Sequence, residues 1–178
     1  PGASDVELLQ DTAKLEMEAH REGDRILVEV RVTNENAGHH IPTDQPIRNI
    51  LLIVSVTGGS GQELEYLGSQ VVPDWGGVGN EPDDYAGRPD KGFAKILEEL
   101  WTELSVTAAY WNPTVLREDT RIAAKATDVT HYQFHIPSQG EVVIEVKLVF
   151  RRAFKPLVEQ KGWDVPDILM EEARMTID

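Results

Sequence analysis

The chain contains no cysteine. That removes disulfide frameworks, Cys-ligated zinc, iron–sulfur clusters, covalently attached c-type haem and thiol nucleophiles from this stretch of polypeptide. Basic residues are scarce: 17 Lys+Arg stand against 31 Asp+Glu, a formal net charge of −14. No basic run offsets that excess, so a nucleic-acid backbone would be repelled, as would an anionic membrane surface. The partners such a charge admits are basic proteins, cations or neutral ligands. No apolar run approaches the roughly 18–20 residues of a membrane span. The first residue is Pro1 rather than Met, which reads as a piece of a longer protein.

What is present suits one globular domain. A chain of 178 residues with 40% hydrophobic content can bury a core without staples. Residues 1–12 read as a linker or short helix, and 13–178 as one domain with a long loop and helix insertion at about 73–114. Residues 13–33 alternate apolar and polar positions on both sides of Glu22-Gly23-Asp24, the pattern of a half-buried β-hairpin. Residues 48–57 are apolar at both parities, as in a central strand covered on two faces. Gly58-Gly59-Ser60-Gly61 reads as a turn and 62–72 as the returning strand. Residues 73–90 form a long loop rich in Gly, Pro and Asp.

After that loop, Phe93, Ile96, Leu97, Leu100 and Trp101 stand at helical spacing with Asp90 as N-cap, which predicts a short helix. Residues 128–136 alternate again, with Thr130, Tyr132, Phe134 and Ile136 on one face. Pro137-Ser138-Gln139-Gly140 turns the chain into a strand over 141–152. A short helix over about 154–161 and a last strand over 169–177 follow. The fold class predicted is all-β: an antiparallel, immunoglobulin-like β-sandwich with long loops and one or two short helices. A closed barrel is the alternative.

Candidate chemistry is sparse. His39-His40 lies in the turn-rich loop 34–46, between Gly38 and Pro42, placed to ligate a metal or haem iron, to act as acid or base, or simply to stiffen the turn. His131 and His135 are four apart, but on a strand that spacing spans roughly 13 Å, too far to share an ion. The loop carboxylates Asp74, Glu81, Asp83, Asp84 and Asp90 are candidate calcium ligands, although the EF-hand pattern is absent. Trp75, Trp101, Trp111 and Trp163 would make a carbohydrate platform if two were coplanar and exposed. Adjacent carboxylates such as Asp83-Asp84 and Glu98-Glu99 do not face one another, and there is no Gly-x-Ser-x-Gly elbow. The expectation is a non-catalytic module, with a calcium- or carbohydrate-binding sandwich as the alternative.

One stretch carries more. Val32-Thr33-Asn34-Glu35-Asn36-Ala37-Gly38-His39-His40-Ile41-Pro42-Thr43 resembles a signature of bacterial multihaem c-type cytochromes: an apolar strand, Asn, then Gly-His, two residues and Pro-Thr. Tyr85-Ala86-Gly87-Arg88-Pro89 through Phe93-Ala94-Lys95, Trp111-Asn112-Pro113-Thr114, Asp119-Thr120-Arg121-Ile122 and the aromatic–Arg end of 148–152 resemble later segments of that family, in the family's order. Asp44 stands where the family has Gly, and Ala123-Ala124 where Pro is common. Because the chain lacks every Cys-x-x-Cys-His site, the resemblance implies the haem-free C-terminal β-rich module, with haem c attached upstream in the parent. It further implies that His39 matches the motif histidine, a candidate haem ligand. The implied partners are the haem-binding domains of the same polypeptide and basic redox proteins. The implied location is exported, periplasmic or at the cell surface.

Overall fold

Strict alternation makes the first sheet. The computed structural model, which describes residues 5–43, 45–109, 111–137 and 139–178, shows eight strands among those residues. They are β1 (Ala13–Glu22), β2 (Arg25–Asn34), β3 (Asn49–Gly58), β4 (Asp90–Glu99), β5 (Thr114–Asp119), β6 (Thr127–His135), β7 (Val142–Arg151) and β8 (Ile168–Ile177). Two short helices accompany them, α1 (Val6–Gln10) and α2 (Lys155–Lys161). Asp44 in the turn after Pro42-Thr43, Ser138 in the turn before β7, and residues 1–4 of the expected linker lie outside the described residues.

β1 and β2 pair antiparallel through a turn in which Gly23 takes φ 63°, a conformation costly for a residue with Cβ. Ile26, Val28, Val30 and Val32 are at most 1% exposed. Each such side chain gains about 1.5–3 kcal/mol by burial, so a one-residue slip that turned all four outward is heavily disfavoured. β6 joins the other edge of β2, giving the order β1-β2-β6; Tyr132 and Phe134 face inward as the alternation predicts. The second sheet is antiparallel with the order β5-β4-β3-β7-β8. The two sheets enclose one core, so the all-β sandwich with short helices is the observed architecture.

β3 is the centre of the larger sheet, as its two-sided apolar sequence implies. Ile50, Leu52, Val54 and Val56 face the sandwich interior. Leu51 and Ile53 face the other way, under Val72, Trp75 and Tyr85. Loop 73–90 is therefore a cover over the outer face of the sheet.

Two expectations fail here. The helix predicted from Phe93 to Trp101 is strand β4. Its i, i+3, i+4 apolar spacing arises because β4, like β3, is covered on both faces: Phe93 enters the main core, while Ala94 and Ile96 pack with Phe154 in a separate cluster. Leu100 and Trp101 lie beyond the strand and are exposed. Asp90, expected as an N-cap, is the buried first residue of β4. The strand expected over 62–72 forms only isolated bridges, because the segment changes sheets: Thr57 bridges Glu63 beside β3, then Tyr66 bridges Phe134 in β6. Edge strand β5 had no signal in the sequence, being short and largely exposed.

Asp90 also carries a prediction. Burial pushes its carboxyl well above the ordinary range, despite the amide of Lys91 donating to it; its other oxygen has no partner among the described residues. A raised native-state value means that the contribution is intact below the unfolded carboxylate range and is lost as pH rises through the native value. Asp90→Asn should therefore gain stability relative to the parent as pH climbs from 4.5 to 9 in urea titrations. Parallel stability curves would refute a native-state shift.

Candidate functional site

The cytochrome-like loop lies at one end of the sandwich and is built around a buried asparagine. Asn34, the last residue of β2, has no solvent exposure. Its Nδ2 donates to the His39 carbonyl at 2.8 Å and to the Ile122 carbonyl at 3.1 Å, and its Oδ1 accepts from the Ala37 amide at 3.3 Å. Ile41 and Ile122 exchange both backbone hydrogen bonds at 2.9 Å. Buried Ile41 and Pro42 anchor the far side of the loop. Between these anchors Gly38, His39 and His40 are held outward and exposed.

The loop fixes a tautomer. Nδ1 of His39 lies 3.0 Å from the His40 carbonyl. A carbonyl only accepts, so a neutral ring carries its proton on Nδ1 and leaves the Nε2 lone pair free, the arrangement of a metal-ligating histidine whose second nitrogen is tied. His39 is among the residues lining a cavity of about 400 Å³ whose walls include Leu9 of α1, Pro42, Ile50, Phe150 and Met170. Asn36 clamps α1 to this loop by donating Nδ2 to the Asp11 carbonyl at 2.7 Å.

The acidic loop holds its carboxylates differently from an open cation cage. Asp74 and Glu81 are exposed and Asp84 is buried. Asp84 accepts the Glu81 amide at 2.9 Å, and the Lys155 ammonium sits 3.4 Å away. Asp83 is ion-paired with Lys155, and Arg151 donates to its carbonyl at 2.6 Å. Burial raises the Asp83 carboxyl, but Lys155 and Arg151 outweigh it and hold the group below the ordinary range. Asp90 is away in β4. No group of three or more His, Asp or Glu placed to hold a metal occurs among the described residues.

The remaining candidates separate. His131 Nε2 meets Glu29 at 3.0 Å and His135 Nε2 lies 3.8 Å from Asp24, each on its own neighbour on the outer face of the smaller sheet. Trp75 is structural: its ring meets Phe154 edge-on at 5.3 Å, and a Cβ at Gly92 would come within 2.2 Å of it. Trp101 and Trp111 are 81% and 72% exposed. They belong to the β4–β5 connection, which projects from the same end as His39 because β4 runs on past the start of β3, where Ala94 pairs with Asn49.

The sequence missed Arg151 as an organiser. Nothing in its spacing signalled that a guanidinium at the end of β7 reaches Gly76, Asp83 and Asp167.

No helix among the described residues is long and apolar enough to cross a membrane. No protein-family model matches the chain, and no curated protein matches it. Among solved structures it is similar to the crystal structure of a penta-heme cytochrome c552 from Thermochromatium tepidum, with a TM-score of 0.72 and 20% sequence identity. The match covers 99% of this chain and 42% of that one. The shared property is the fold: the whole of this sandwich corresponds to less than half the length of a cytochrome.

Proposed function

We propose that this chain is the haem-free β-sandwich module of an exported multihaem cytochrome. It supports electron transfer by docking on haem-bearing domains of the same polypeptide and presenting His39 to one haem. The observation that carries this reading is the His39 geometry: an exposed imidazole on a pinned loop, with Nδ1 committed to a backbone carbonyl and Nε2 left for an outside ligand. The ordered cytochrome-like segments and the fold shared with a penta-heme cytochrome support it.

The donor set fits a haem. A single nitrogen ligand beside apolar walls would suit a flat, hydrophobic macrocycle, and the group would supply one-electron transfer when bound. His39 would hold the iron, the His40 carbonyl would orient the ring, and Phe150 and Met170 would keep water from the groove. The same end of the sandwich exposes Leu8, Leu100, Trp101, Leu104, Trp111 and Leu116. Such concentration of large apolar side chains on one end suits a surface covered by another domain.

The test is spectroscopic, on the full polypeptide with its haems attached. His39→Ala is expected to convert one low-spin haem to high-spin in electron paramagnetic resonance, leaving the others unchanged. All haems remaining low-spin would overturn the ligand role. A parent reading frame without Cys-x-x-Cys-His sites would overturn the module assignment itself.

A further inference from the structure

We propose that Arg48 is the anion-binding residue of the His39 cavity, taking a propionate carboxylate of the haem whose iron His39 ligates. The inference rests on the haem reading above and adds an orientation to it. Arg48 and His39 line the same cavity, with Thr43 between them in the chain and Ile50, Phe150 and Met170 as its apolar lining. The cavity thus combines a nitrogen ligand, an apolar surface and a permanent cation. A tetrapyrrole has the complementary three features in one rigid plane: a metal, a hydrophobic face and edge-borne carboxylates.

The chain fixes Arg48 in place. Its backbone amide donates to the Gln45 carbonyl at 3.1 Å, and its Nη1 donates to the Thr43 carbonyl at 3.3 Å. The side chain is half-buried, and it has a further partner of its own. An incoming carboxylate would therefore join an existing polar set. A guanidinium is suited to that, because its five donors form a planar fork that can serve several acceptors together. Among the described residues, the other charged side chain lining the cavity is Asp11, at the end of α1. Its carboxylate repels a propionate, so the two charges favour one orientation: propionate toward Arg48, away from α1.

The purified chain is titrated with ferric haem and, separately, with ferric haem dimethyl ester, which keeps the metal and macrocycle but masks both carboxylates. Absorbance follows formation of a histidine-ligated Soret band. The wild-type chain is expected to bind the diacid roughly tenfold or more tightly than the diester, the scale of one charge-assisted bidentate contact. Arg48→Gln should bring the ratio near one while keeping the ligated band. Arg48→Lys should retain part of the preference. Far-UV circular dichroism of each variant reports that the sandwich is intact. Equal wild-type affinities with a ligated band, or a preference that survives in Arg48→Gln, would overturn the Arg48 assignment and leave His39 standing. No ligated band with either porphyrin would overturn the His39 reading, and this inference with it.

Discussion

Replacing Arg151 with methionine should cost about 3–5 kcal/mol of folding stability, which for a chain of this size lowers Tm by about 10 °C. Arg151 is 2% exposed. Its Nε and Nη2 grip Asp167 at 2.8 and 2.7 Å, its Nη1 donates to the Gly76 carbonyl at 2.7 Å, and its guanidinium carbon lies 5.2 Å from the Tyr85 ring centre. Methionine replaces the apolar stem of the side chain only as far as Nε and makes none of these bonds. It strands the Asp167 carboxylate, whose side chain is 13% exposed, and removes the guanidinium from the Asp83 and Gly76 carbonyls, the latter keeping only the Tyr85 amide. An unpartnered buried charge costs far more than a pair of exposed ions gains. The double variant Arg151→Met, Asp167→Leu should recover much of the loss. Urea unfolding measures both; a single-variant loss below about 1 kcal/mol would show that the ion pair is energetically idle. Loop 73–90, tethered through Gly76 and Asp83, should also become the first site of proteolysis in the single variant.

Asn34→Asp should be nearly as damaging as Asn34→Ala, at about 2–4 kcal/mol each. Aspartate is the closest isostere and keeps an acceptor for the Ala37 amide. However, the two carbonyls of His39 and Ile122 then face carboxylate oxygens instead of an NH₂ group. Since one carbonyl belongs to the loop that carries His39 and the other to the segment bridged to Ile41, both variants should speed hydrogen exchange at Ala37 and Ile41 and weaken any ligand held by the imidazole. Wild-type stability in Asn34→Asp would falsify this account of the loop.

The parts legible in the sequence were those governed by neighbours in the chain. The β1–β2 hairpin, β6 and β7 follow from alternation, and β3 from apolar residues at both parities. His39 was singled out by a local motif, and the fold places it exposed on the loop that Asn34 pins. The parts that misled were governed by distant groups. β4 resembles a helix only because Phe154 and Trp75 cover its outer face, so that two apolar faces overlap into a helical period. In the acidic loop, Arg151 and Lys155 reach Asp83 from about seventy residues away, a contact that no local pattern announces. Arg48 carried no signal, since a lone Arg before a strand is ordinary; only the shared cavity joins it to His39.

The position of β3 sets the order in which the molecule can be completed. Its strongest partner, β7, pairs from Asn49 to Arg151, about a hundred residues further along. During synthesis this apolar strand is therefore made well before β7, and its β7 edge stays open until that strand follows, even after β4 has covered part of the other edge. Pairing over such separations is slow because a long loop must close first, and unpaired apolar strands associate with other chains meanwhile. Folding yield, more than native stability, is then the property most exposed to truncation: a chain cut before β7 keeps the hairpin and loses the centre of the larger sheet.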